Sequence, residues 1–217
     1  VVQVNDSQAI LDLALHPKVV GAVAASEAYK KATADPGFGQ FRNLIVFLEN
    51  QLDTDWQDGL RKLTAGGVTW AIGPGDTSLL IVDAEDPTML RKIHETFRFI
   101  AQADAKKKDE GEQVSSAEYR GVTGWSFGPN EAHAIIGRRL LITNKPEALK
   151  AALDLRADPS GDSIAKLAAY RAAREAAGTG ADAVVYVDLE KLNQLPQLRK
   201  ALTARDNPMA TLLLAPL

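Results

Sequence analysis

Cysteine is missing from all 217 residues, which excludes a disulfide, a thiolate metal site and a cysteine nucleophile. A basic excess is missing too. The formal net charge is −3, whereas a nucleic-acid surface carries surplus Lys and Arg, so no nucleic-acid partner is expected. No run of about 18 apolar residues and no signal peptide occurs, so a membrane is expected only through an anchor outside this stretch. What remains is an ordinary globular composition, 46% apolar, in a length that fits one large domain or two small ones. The lack of cysteine suits an exported bacterial protein. Val1 opens the chain without a methionine and an apolar run, 212–217, closes it, as expected of a fragment or a processed protein.

The most legible stretch is 119–156. Apolar runs at 122–127, 132–136 and 140–143 are separated by Gly128-Pro129-Asn130 and by Gly137-Arg138, the pattern of a three-stranded antiparallel meander. Asn144 stands where a helix cap belongs, with Pro146 in the first turn and Leu149 and Leu153 at helical spacing behind it. Earlier in the chain, a short strand at 1–4 meets a cap at Asn5-Asp6-Ser7, and Pro17 ends one short helix and opens another. Asp35-Pro36-Gly37-Phe38-Gly39 reads as a break. Phe41, Leu44, Ile45, Leu48 and Leu52 mark one face of an amphipathic helix.

Trp56, Leu60 and Leu63 mark the next helix, and 68–72 with 78–82 form a hairpin. Met89, Ile93, Phe97 and Ile100 lie on a third amphipathic helix. The charged segment 105–117 reads as a mobile surface loop. Ser163 caps a helix running to about residue 177, followed by a strand at 183–189 and a helix at 192–202. These elements predict an α+β fold, an antiparallel sheet of six to seven short strands covered by amphipathic helices. Residues 1–182 form one unit. The segment 183–217 either completes it or begins a second copy, because Val184-Val185-Tyr186-Val187-Asp188 echoes Val1-Val2-Gln3-Val4-Asn5.

Candidate chemistry is sparse. Ser163-Ile164-Ala165-Lys166 matches the Ser-x-x-Lys of penicillin-recognising hydrolases, but Lys-Thr-Gly and Ser-Asp-Asn are absent, and helix capping explains Ser163. Asp53, Asp55 and Asp58 fail the calcium-loop pattern, since its Gly and Glu positions hold Asp58 and Thr64; capping of the Trp56 helix explains Asp53 and Asp55. His16, His94 and His133 lie far apart in sequence without metal spacing and read as structural, with His133 alternating inside a strand toward solvent or an open sheet face. Gly73-Pro74-Gly75 is a hairpin turn, not a dinucleotide fingerprint, and Lys106-Lys107-Lys108 is a solvated run among acids. Asp182 and Asp188 are the carboxylates a hydrolase would have to use. Trp70 and Trp125 sit in strands and share a sheet face; with His133 they are the candidate surface for an apolar ligand or a partner. No catalytic residue, metal or cofactor is expected.

The order of certain motifs carries a resemblance. Gly66-Gly67-Val68-Thr69-Trp70-Ala71 is followed by the Leu-Leu-Ile-Val strand and Asp83-Ala84-Glu85-Asp86, then by Tyr119-Arg120-Gly121-Val122. Ile136-Gly137-Arg138-Arg139-Leu140-Leu141-Ile142-Thr143-Asn144, a Leu-Lys-Ala-Ala-Leu-Asp helix and the strand at 181–189 complete the series. Over 66–202 the chain is similar to a family of uncharacterised exported bacterial proteins common in planctomycetes. The resemblance implies an extracytoplasmic, anchored protein holding repeated units, and it brings no catalytic residues. The expected function is therefore a non-enzymatic extracytoplasmic domain that binds a protein partner or other units of its own chain. A carrier of lipid or another apolar ligand, held between sheet and helices, is the alternative.

Overall fold

The structure, a computed structural model, describes residues 1–108, 114–178 and 180–188. The strands are β1 (Val2–Val4), β2 (Val68–Gly73), β3 (Thr77–Asp83), β4 (Ser115–Tyr119), β5 (Val122–Ser126), β6 (Ala132–Ile136), β7 (Arg139–Thr143) and β8 (Ala183–Val185). All pair antiparallel in one sheet of order β4-β5-β6-β7-β3-β2-β1-β8, which makes the fold α+β as expected, with eight strands rather than six or seven. The helices are α1 (Ser7–Ala14), α2 (Pro17–Ala25), α3 (Glu27–Thr33), α4 (Pro36–Leu52), α5 (Trp56–Thr64), α6 (Pro87–Lys108), α7 (Pro146–Ala157) and α8 (Ala168–Ala177).

Strand register sorts the side chains onto two faces, because cross-strand partners project to the same side. One face carries Gly124, Ala134 and Leu141 in a row, and α7 lies on it. Leu149 and Leu153 of α7 close a core with Val122, Ala132, Ala134 and Leu141. Gly124 lets α7 approach, since a Cβ there would stand 3.3 Å from the end of Leu149. Farther along this face, Arg174 of α8 donates to the Gln3 side chain at 2.8 Å. The opposite face carries Trp125, His133, Ile142, Leu80, Trp70, Val2 and Val185 as one continuous row. Helix α6 crosses it at His133, and Gly59 of α5 lies beside Met89 of α6. Helices α1 to α4 follow one another outside this layer, and no residue of α2, α3 or α4 is buried.

Several boundaries move. Residues 105–108 continue α6 and 115–117 belong to β4, so the expected loop 105–117 is contradicted at both ends. The meander is therefore four-stranded. Strand β4 has no apolar alternation to betray it: Ser115, Ser116, Ala117 and Glu118 are all exposed, and pairing with β5 alone makes them a strand. The break at 35–39 is only Asp35. Its carboxylate accepts from the Gly37 N–H, Pro36 takes the first helical position, and the helix continues through Gly39.

Capping assignments also shift. Asp55 caps α5, but Asp53 is instead the left-handed C-cap of α4, with φ of 49°. Asn144 does not cap α7. Its Oδ1 accepts from the Ser78 N–H at 2.8 Å and its Nδ2 donates to the Asp76 carbonyl at 2.6 Å, tying the β2–β3 turn to the end of β7, and Lys145 takes the cap position. Ser163 makes no side-chain cap. A single 3-10 turn, Ile164–Lys166, separates it from α8, which starts after Leu167. The expected helix at 192–202 and the end of the strand at 183–189 lie outside the described residues.

Candidate functional site

Glu131 immediately precedes β6, so it and His133, two residues on, project to the same side of the chain. One carboxylate oxygen of Glu131 accepts from the Phe127 N–H at 2.9 Å, and the other meets His133 Nδ1 in a short contact. His133 Nε2 stands 3.0 Å from His94 Nε2 of α6. His133 is only 5% exposed, which corrects its placement on solvent or an open face. The two histidines read as far apart are in fact paired, through helix-on-sheet packing that no local pattern encodes. His16 is elsewhere, where its Nδ1 accepts from the Lys18 N–H at the start of α2.

An ionised Glu131 requires a proton on His133 Nδ1, and one hydrogen is shared between the two Nε2 atoms of His133 and His94. Burial pushes Glu131 upward, but hydrogen bonds from His133 and the Phe127 N–H outweigh it and hold the carboxyl below its ordinary range. The His94 imidazolium is disfavoured by burial first, then by His133 and Arg98; Glu95 and Glu131 oppose this without reversing it. Phe127 stacks on His94 with centroids 5.5 Å apart, and Trp125 meets it edge-on at 5.3 Å. No group of three metal-ligating side chains occurs among the described residues, and the His94–His133 contact is a hydrogen bond by its length.

Next to this chain an open cleft of about 530 Å³ lies between α6, the β4–β5 turn, the β6–β7 turn and the end of α7. Four guanidinium side chains line it: Arg91 and Arg98 from α6, Arg120 from the turn and Arg156 from α7. His94, Glu95, Thr123, Trp125 and Ile135 complete the main lining. The spacing Arg91–His94–Arg98 puts these three on one stripe of α6. Arg98 lies over the Trp125 ring, 5.3 Å from its centroid. Arg120 and Gly121 have φ of 50° and 71°, the double left-handed geometry of a tight hairpin turn, uncommon for a side chain as large as arginine. The guanidinium of Arg120 reaches back to Asp154, which also accepts from the Tyr119 hydroxyl at 3.0 Å. That pairing raises Arg120 above its ordinary value.

Trp125 and His133 are adjacent across β5 and β6. Trp70 lies on the same face as expected, but four strands along, about 19 Å away at ordinary strand spacing, and is 47% exposed. The three do not form one pocket. Lys166 donates to the Ser160 carbonyl, and Asp182 offers its own carbonyl to the Asn5 and Asp6 N–H groups, so each is tied into a loop. Glu131 and the arginines were not singled out from the sequence, although the Glu131-x-His133 alternation and the arginine–histidine stripe of α6 were both visible there. Among the described residues no helix is long and apolar enough to cross a membrane. No protein-family description, curated protein or solved structure matches the chain.

Proposed function

We propose that this protein is a non-enzymatic extracytoplasmic binding domain whose cleft takes an anionic ligand with a flat or apolar portion. The convergence of Arg91, Arg98, Arg120 and Arg156 on one cleft carries this reading, in a chain whose overall charge is negative. Guanidinium groups pair with carboxylates and phosphates through parallel N–H donors, while Trp125 and Ile135 offer a surface for a ring or alkyl group. Asp154 already holds Arg120, which leaves Arg91, Arg98 and Arg156 as the cations placed to respond to a ligand. Calorimetry with phenyl phosphate against phenol tests the idea. Phenyl phosphate should bind, phenol should not, and the pair Arg98→Ala with Arg156→Ala should weaken binding at least about tenfold. Equal binding of the neutral compound, or binding indifferent to both arginines, would sink it.

The carrier of lipid or another apolar ligand is the second reading, with its seat moved from between sheet and helices to the exposed apolar side chains of the outer helices: Val19, Val20 and Val23 of α2, and Phe41, Val46 and Phe47 of α4. Native mass spectrometry on gently purified protein separates the two. Retained lipid favours the carrier; a retained anion that Arg98→Ala releases favours the cleft.

A further inference from the structure

His94 lines the cleft and is also the outer end of a chain that runs inward to the buried His133 and then to Glu131. Three rings hold it in place. Phe127 stacks on it, and Trp125 and His133 meet it edge-on with centroids 5.3 and 5.0 Å away. Its two nitrogens have different surroundings. Nε2 stands 3.0 Å from His133 Nε2, whereas Nδ1 has no hydrogen-bond partner among the described residues. No side-chain nitrogen or oxygen of the described residues is both buried and unpartnered, so Nδ1 of His94 reaches solvent.

Counting hydrogens gives that nitrogen a task. With one proton on His133 Nδ1 and one shared between the Nε2 atoms, the pair of rings is neutral. A third proton makes the pair a cation, and Nδ1 of His94 is the place left for it. The carboxylate of Glu131, tied to His133 and to the Phe127 N–H, is the fixed negative charge at the inner end of the chain. Other charges surround the pair. On α6, Arg91 and Arg98 flank His94 and Glu95 adjoins it, while Arg120 and Arg156 stand in the other walls of the cleft. Strand β5 contributes the uncharged ring of Trp125. Before an anion enters, burial, then His133 and Arg98, oppose the third proton, and Glu95 and Glu131 do not reverse this. An anion among the arginines offsets their repulsion and offers an acceptor to an Nδ1–H.

We propose that the cleft takes up its anion together with one proton, which enters at His94 Nδ1 and is donated in a hydrogen bond to the anion, while Glu131 supplies the counter-charge through His133. This deepens the anion-binding reading of the cleft and rests on it. The proton comes from solvent and returns there when the anion leaves. Because the bound anion favours the imidazolium, affinity rises as the pH falls through the midpoint of the complex, and it levels off below the midpoint of the free protein. Alkaline conditions therefore favour release.

A histidine NMR titration of the whole chain, with and without saturating phenyl phosphate, is the test. The chain has three histidines, and His16, at the start of α2 and outside the cleft lining, is the internal reference. The phosphorus signal follows the ligand's own proton separately. With phenyl phosphate bound, the midpoint of His94 should rise by at least about one pH unit, as a close opposite charge produces, with that of His16 unmoved. Such a rise corresponds to about tenfold in affinity across the titration. A smaller rise at His94, or an equal rise at His16, while phenyl phosphate is bound overturns the inference and leaves the anion-binding reading intact. No binding of phenyl phosphate at any pH removes both.

Discussion

His94 is the residue whose chemistry the fold changes most. Its imidazolium is disfavoured in the folded chain, so its folded value lies below the ordinary 6.5. Below pH 6.5 the unfolded chain therefore takes a proton that the folded chain refuses. Stability should fall as the pH drops through 6.5 and level off below the lowered value. Glu131 acts in a separate, more acid window. Its folded value lies below 4.5, so its contribution is full above that pH and is lost as the pH falls through the folded value. Thermal melts between pH 8 and 4 should show the first loss in the native chain and not in His94→Gln; a loss unchanged in that variant would assign it to another group. Thr143, 2% exposed, donates its hydroxyl among two carbonyl acceptors, those of Ala132 and Lys145, at 2.9 and 3.0 Å. Thr143→Val leaves these carbonyls short of a buried donor and should cost about 1–3 kcal/mol by urea denaturation.

At the scale of the element, α7 and the turn before β2 bear most on stability. Leu153 faces the sheet from the middle of α7 at 2% exposure, and Leu153→Ala should cost about 2–5 kcal/mol, as cavities in closed cores do. Gly67 leads into β2 with φ of 102°, and a Cβ there would stand 2.8 Å from the Val4 carbonyl oxygen, a backbone atom that cannot swing aside. Gly67→Ala should cost about 1–3 kcal/mol and loosen β1 first, visible as faster exchange at Gln3 than at Leu141. Equal stability in either variant would mean that the element repacks around the change. Elements with a period or a punctuating residue were legible in sequence: the strands β5, β6 and β7, the helix start at Pro146 and the divide at Pro17. Polar β4 was not, because its only reason to be extended is its neighbour.

Across the whole molecule, negative net charge and a cationic cleft are set against each other. An anion drawn to four guanidinium groups at an open site should bind more weakly as salt rises. The affinity for phenyl phosphate should drop severalfold between about 0.01 and 0.15 M ionic strength, over which the screening length shrinks from about 30 to 8 Å. Titrations at three salt concentrations check this, and an affinity flat with salt would point to binding away from the arginines. The cleft exists only because three distant stretches meet, with Arg98 on α6, Arg120 between β4 and β5, and Arg156 at the end of α7.

The sequence by itself determined the class of fold, the sites of most turns and the core of the meander helix. These follow from periodicity, from proline and glycine, and from capping side chains, all of which act over a few residues. It also carried the echo between Val1-Val2-Gln3-Val4-Asn5 and Val184-Val185-Tyr186-Val187-Asp188. Only the tertiary structure decided that these two segments lie side by side, that His94 meets His133 across 39 residues, and that Asn144 binds the β2–β3 turn rather than capping a helix. Each of those outcomes depends on strand order and on which helix crosses which face. Strand order is a global choice, set by burying the most apolar surface with every backbone group paired, and no local window of residues contains it.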